Sequence, residues 1–171
     1  MTSPFTSTSA VRFHHTDPAS YVFFPRYFEM IQAAVEDWFT IALGINYADL
    51  INHDRVGFPT VRTECDFHKP SRLGDSVELT IYVERLGGSS ITVQFVGRVK
   101  GEERLRARSV LVAISLEDGR PRPLDPALRV QIDAYIARQG TLPPAHARDV
   151  KAPPPPATKP TTQAAQAARP A

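Results

Sequence analysis

Apolar and polar residues alternate strictly from Val77 to Glu84, with Val77, Leu79, Ile81 and Val83 set against Glu78, Thr80, Tyr82 and Glu84. Successive strand side chains point to opposite faces, so this segment predicts a β-strand with one buried face. Gly87-Gly88 follows as a hairpin signal, and Ile91, Val93 and Phe95 resume the alternation beyond it. Two further strands are predicted, Val56 to His68 and Leu105 to Ile114, with turns at Gly74-Asp75 and Gly101-Glu102. A first strand is predicted over residues 7–14, with Val11 and Phe13 on one face and Arg12 and His14 on the other. The period changes in two places. Phe28, Ile31, Val35, Trp38, Phe39 and Ala42 recur at three- and four-residue spacing, which predicts a helix from Pro25 to Leu43. Pro25 suits a first helical position, where no amide donor is needed, and Gly44 is the stop signal. Leu128, Ile132, Tyr135 and Ile136 predict a closing helix from Pro126 to Gln139. Tight turns between strands imply antiparallel pairing. The expected class is α+β: one long helix on a curled antiparallel sheet of about five strands.

Composition narrows the setting. The 171 residues amount to one domain, with 42% hydrophobic and 22% charged residues. Cys65 is the single cysteine, which excludes a disulfide framework and a cysteine-rich zinc site. No apolar run is long enough to span a bilayer, and the opening MTSPFTSTSAVRF does not read as a secretory signal. A cytoplasmic protein without membrane association is expected. Beyond Leu142, Arg148, Lys151, Lys159 and Arg169 face only Asp149, so the tail carries +3 and the rest of the chain −1. The basic balance belongs to the tail, which argues against nucleic acid as a partner. Eight of the 16 prolines lie from Pro143 onward, where aromatics are absent. That composition predicts a folded domain over 1–142 and a disordered Pro/Ala-rich tail over 143–171. Arg104, Arg106 and Arg108 alternate along a predicted strand and share one face, either as a solvated outer surface or as a phosphate contact.

Candidate chemistry is sparse. His14, His15, His53 and His68 lack the spacing of a helical metal site, and no phosphate loop or serine elbow occurs. No metal or cofactor is expected. Asp17 lies between the first strand and the start of the long helix. It reads in two ways: as an acceptor closing its own turn, or as a reactive carboxylate. The second reading draws on the free amides and positive dipole at the helix start near Phe24, which suit a developing oxyanion.

The segment FHHTDPASYVFFPRYFEMIQAAVEDWF resembles the hallmark of the 4-hydroxybenzoyl-CoA thioesterase family of hot dog folds, and PSRLGDSVELTIYVERLGGSSITVQF resembles that family's sheet. The resemblance spans about residues 7–137. It implies a hot dog fold, assembly into homodimers or homotetramers, and metal-free hydrolysis of an aromatic acyl-CoA. Asp17 falls on the family's catalytic carboxylate, and Phe24 on the position whose backbone N–H polarises the thioester carbonyl. The acyl group is expected along Tyr27, Phe28 and Ile31, with His15 tuning Asp17 or touching substrate. Two residues depart from the pattern. Ser20 stands where glycine is usual. Gly87-Gly88-Ser89 replaces the hairpin cations that hold the CoA phosphates, leaving Ser89 at the hairpin and Arg72, Arg85 and Arg98 as substitutes. Asp17 acts on this reading as nucleophile or as general base. Two alternatives stay open: a thioesterase for aliphatic or carrier-protein-bound acyl groups, and a non-catalytic acyl-CoA-binding domain.

Overall fold

The computed structural model describes residues 3–145; the predicted disordered tail from residue 146 onward lies outside the described residues. The strands are β1 (Thr6–Ala10), β2 (Val56–Gly57), β3 (Thr60–Phe67), β4 (Ser76–Leu86), β5 (Ser90–Val99), β6 (Glu102–Val112) and β7 (Ile114–Ser115). The helices are α1 (Phe24–Asp37), α2 (Tyr47–Asn52) and α3 (Pro126–Arg138). A five-stranded sheet runs in the order β1-β4-β5-β6-β3, and every pair is antiparallel. β2 and β7 form a separate small ribbon. The long helix packs on the concave face of this sheet, which is the hot dog arrangement the resemblance implies.

The long helix starts one residue earlier than predicted, and Pro25 occupies its second position. After Asp37 it continues as a wider π turn over Trp38–Ala42, closed by the Leu43 amide on the Trp38 carbonyl at 3.0 Å. The wider turn lets the neighbouring residues Trp38 and Phe39 both bury completely, each 0% exposed. Gly44 then takes φ +68° and ends the segment. Opposite the helix, β4, β5 and β6 bury Leu79, Ile81, Phe95, Leu105 and Leu111. Gly97 is required at that seam, because a Cβ there would lie 2.8 Å from the Leu105 side chain.

Several sequence expectations change. The first strand ends at Ala10, and Phe13–His15 is a 3-10 turn. His14 and His15 therefore do not alternate along a strand, and Phe13 is 82% exposed while Val11 is 3% exposed. Local bonds close this turn: the Arg12 amide donates to His15 Nδ1 at 3.0 Å, and the Thr16 amide to the Phe13 carbonyl at 3.1 Å. The strand predicted over Val56 to His68 splits into β2 and β3 around Phe58-Pro59, and the last predicted strand divides into β6 and β7. α2 escaped the pattern; Asn46 caps it by accepting from the Ala48 amide at 2.9 Å.

α3 closes the edge of β4 beyond its pairing with β1. The Tyr135 hydroxyl donates to the Ile81 carbonyl at 2.7 Å and accepts the Phe5 amide at 2.9 Å. Past the α3 end, the Gln139 side chain accepts the Val83 amide at 2.7 Å and donates to the Val83 carbonyl at 2.9 Å. It thereby replaces a missing strand partner where the β4 register shifts.

Candidate active site

The Asp17 turn is held against the helix start by backbone bonds. Thr16 pairs with Val22, the Phe23 amide donates to the His15 carbonyl at 2.9 Å, and the Val22 amide to the Ser71 carbonyl at 2.9 Å. Asp17 thus lies one residue after Thr16, inside the loop that the Thr16–Val22 bridge closes, and Val22 is two residues before Phe24. Its carboxylate divides its work. Oδ1 accepts the Ala19 amide at 2.9 Å and the Tyr21 amide at 3.2 Å, an Asx-type closure. Oδ2 has no hydrogen-bond partner among the described residues. Ser20, where the resemblance expects glycine, sits at φ +64°. The left-handed turn is kept with a side chain present, at a cost of about 1–2 kcal/mol. Phe24 opens α1, and its amide finds no acceptor among the described residues; the next residue, Pro25, has no donor at all.

An open cleft of about 340 Å³ lies at the helix start, lined by Val22, Phe24, Tyr27, Phe67, His68 and Pro70 among others; Asp17, in the adjoining turn, is not part of that lining. Tyr27 is buried, and its hydroxyl accepts the Ser71 amide at 3.0 Å, which fixes the ring in the wall. Farther along the same helix face lies a second cavity of about 220 Å³, with Phe28, Ile31 and Val35 on one side and Thr63, Phe95 and Ser109 on the other. The predicted acyl positions Tyr27, Phe28 and Ile31 therefore all face hollow space. Sequence reasoning missed Phe67 as a site residue. Its ring centroid lies 6.5 Å from Phe24, 5.5 Å from Tyr27 and 6.4 Å from Phe28. A period-two count on β3 puts Phe67 on the helix side; only the sheet order shows that β3 is the strand that closes over the helix start.

His15 closes its own turn through Nδ1, so the neutral ring carries its proton on Nε2. Partial burial, with His14 at 4.0 Å between ring centroids, lowers its pKa and keeps the ring neutral near pH 7. Arg72 stands beside the Asp17 turn. It bridges to Tyr21 through the backbone, donates to the Tyr21 hydroxyl at 2.9 Å, and stacks its guanidinium 4.7 Å from that ring's centroid.

The other expected substrate contacts are not brought to this place within one chain. Arg85 and Ser89 lie at the hairpin end of β4, and the Asp17 turn docks near its opposite end, where Arg72 precedes Ser76. At about 3.3 Å per residue the two ends are about 30 Å apart. The hairpin is also occupied by its own chain: Gly88 accepts the Leu124 amide at 2.9 Å, Ser89 the Ala113 amide at 2.8 Å, and Gly87 the Arg129 guanidinium. Arg98 is drawn into an ion cluster, 3.8 Å from Glu103. Arg104, Arg106 and Arg108 share a face as expected, and each is paired, with Glu102 at 3.1 Å, Glu103 at 3.0 Å and Glu84 at 2.8 Å respectively. They form an ion-paired outer surface. Arg106 further donates to the Pro143 and Pro144 carbonyls, so the first residues beyond the predicted boundary at Leu142 touch the sheet.

Known proteins place this geometry in context. The chain is 29% identical over 91 residues to a 1,4-dihydroxy-2-naphthoyl-CoA hydrolase of Nostoc punctiforme, a match covering 53% of this chain and 61% of that protein. The match thus spans less than two thirds of the relative's length. Among solved structures, a gentisyl-coenzyme A thioesterase superposes with a TM-score of 0.69 at 24% identity, over 74% of this chain and 98% of the other. A Staphylococcus aureus protein in complex with CoA superposes with a TM-score of 0.78 at 15% identity, over 90% of this chain and 98% of its own. Residues 11–132 match the model of the thioesterase-like superfamily. That span holds the Asp17 turn, the long helix and the whole sheet except β1, and the chain belongs to the thioesterase-like superfamily.

Proposed function

We propose that this protein hydrolyses an aromatic acyl-CoA, of the 4-hydroxybenzoyl-CoA kind, to the free acid and CoA. The observation that carries the reading is the unpartnered Oδ2 of Asp17, tied by the Thr16–Val22 bridge to the first free amide of α1 at Phe24. In this reading the Phe24 N–H donates to the thioester oxygen as negative charge develops there, an effect worth about 3–4 kcal/mol where such donors have been removed. Two routes share that donor. Asp17 attacks the carbonyl carbon, the C–S bond breaks, the thiolate takes a proton, and water cleaves the resulting anhydride. Alternatively Asp17 accepts a proton from a water that attacks the same carbon, and that proton passes to the leaving sulfur. His15 and Arg72 contact substrate near the turn, with Tyr27, Phe28 and Ile31 along the acyl group. Arg85 and Ser89 reach CoA from another subunit of a homodimer or homotetramer. Support for assembly comes from β3, a sheet edge that exposes Val61 by 61% and Phe67 by 44%. The relatives named for naphthoyl- and gentisyl-CoA esters favour an aromatic acyl group. A domain over 1–142 in a reducing cytoplasm, with Cys65 free, completes the proposal.

One observation favours a second reading, a non-catalytic acyl-CoA-binding domain: Oδ1 of Asp17 is already committed to two amides. Thiol release from a panel of benzoyl-, 4-hydroxybenzoyl-, naphthoyl-, butyryl- and palmitoyl-CoA separates the two. We expect kcat/KM for the aryl esters to exceed the aliphatic ones by about tenfold or more. Tight binding of the same esters without thiol release would establish the binding module instead.

A further inference from the structure

The candidate cleft and the second cavity lie on one helix face, yet they are separate spaces. The cleft touches Phe24 and Tyr27, and the cavity touches Phe28, Ile31 and Val35, one turn deeper. On the sheet side the same step runs along β3, from Phe67 in the cleft to Thr63 in the cavity. The Phe67 ring lines the cleft and meets Phe28, which lines the cavity, in edge contact at 6.4 Å between centroids.

We propose that Phe67 is a specificity-determining residue: its ring is the partition between the cleft, where the thioester is cleaved, and the cavity, which is the distal acyl subsite. This rests on the proposed hydrolase reading for the identity of the thioester. Size supports it. A cavity of roughly 150 Å³ accepts benzene, so 220 Å³ holds one substituted ring and little more. Length supports it as well. From Phe24 to Phe28 and Ile31 the helix rises about 6–10 Å, the reach of an acyl group with one ring and a para substituent or two fused rings. The far wall carries the most specific sign. Thr63 Oγ1 and Ser109 Oγ lie 2.8 Å apart, and Ser109 is 1% exposed. Two hydroxyls own two protons, and their mutual bond uses one. The pair keeps one donor without an acceptor among the described residues, in a pocket whose other lining is mostly apolar, with Gln32 and Thr60 as its further polar members. A ring hydroxyl or similar oxygen on the acyl group meets that donor.

The test alters the partition and the far wall separately. Phe67→Trp enlarges the partition, and it should lower kcat/KM for 4-hydroxybenzoyl-CoA relative to butyryl-CoA by about tenfold or more. Phe67→Ala opens it, and should shift preference toward naphthoyl-CoA by a similar factor. Phe67 sits half-exposed on an edge strand, so both variants are expected to fold, and their melting curves check this. Ser109→Ala should penalise 4-hydroxybenzoyl-CoA against benzoyl-CoA. Unchanged ester ratios in folded Phe67 variants overturn the proposal. A separate arm does not depend on turnover: 4-hydroxybenzoate binding, read by ligand-observed NMR, should be lost in Phe67→Trp and weakened in Ser109→Ala. If the wild type cleaves none of the esters, the hydrolase reading fails and this arm alone decides the subsite; binding indifferent to both substitutions refutes it.

Discussion

At the scale of single residues, Asp17 carries a structural duty that occupies only half of its carboxylate. Its two carboxylate oxygens are not equivalent: one fixes the turn, and the other has no hydrogen-bond partner among the described residues. The Asx closure read from the sequence is present, and because it consumes only one oxygen it is compatible with the proposed reactive role. Cys65 offers a contrast. Burial, reinforced by the neighbouring Asp66 charge, pushes its thiol up to about 12. At pH 8 the thiolate is scarce, so Cys65 in the native protein should react with a thiol reagent at least tenfold more slowly than in the unfolded chain. Stoichiometric labelling of the native protein within seconds would contradict this. A slow Cys65 also keeps a thiol-release assay free of background.

At the scale of elements, the period-two strands and the long helix were legible because each has a face that must be buried. The elements that escaped were those fixed by local polar bonds. The Phe13–His15 turn depends on an amide-to-imidazole bond, and α2 on an Asn46 cap, neither of which leaves an apolar period. Candidate site positions on the helix could be read from spacing. Phe67 could not, since its value depends on which strand borders the helix start. α3 shows a related dependence. Its Tyr135 hydroxyl serves both β4 and the residue before β1, and burial pushes its pKa up to about 12. Tyr135→Phe removes a donor and an acceptor at once and should lower unfolding stability by about 1–3 kcal/mol in a urea titration. An unchanged midpoint would mean that α3 holds the sheet by apolar packing alone.

At the scale of the whole molecule, the outer sheet face is an ion-paired surface, and its carboxylates set the response to acid. Arg108 hydrogen bonds hold Glu84 below the usual carboxylate range, against the opposing effect of burial. For Glu103 burial acts upward, and the Arg106 hydrogen bonds with the Arg106, His68 and Arg98 charges outweigh it. Carboxylates with lowered folded-state pKa values contribute stability that is present above an ordinary value of about 4.3 and is lost as the pH falls through their folded values. Glu103→Gln should therefore reduce stability at pH 7 and flatten the loss between about pH 5 and pH 3. A parallel downward shift of the whole curve would assign the loss to packing. The same face explains why three alternating arginines did not amount to a phosphate site: Glu102 and Glu103 open the same strand and Glu84 comes from β4, and the spacing of the arginines alone does not reveal these pairings.

The central claim is that the free oxygen of Asp17 acts on a thioester carbon gripped by the helix amide at Phe24. Asp17→Asn tests it most directly, because the Asn side-chain oxygen can still accept the Ala19 and Tyr21 amides while the negative charge is gone. The claim predicts an unchanged melting temperature and a fall of at least about 100-fold in kcat/KM for 4-hydroxybenzoyl-CoA, within the range ascribed to a positioned acid or base. A folded Asp17→Asn protein with kcat/KM near that of the wild type would contradict it.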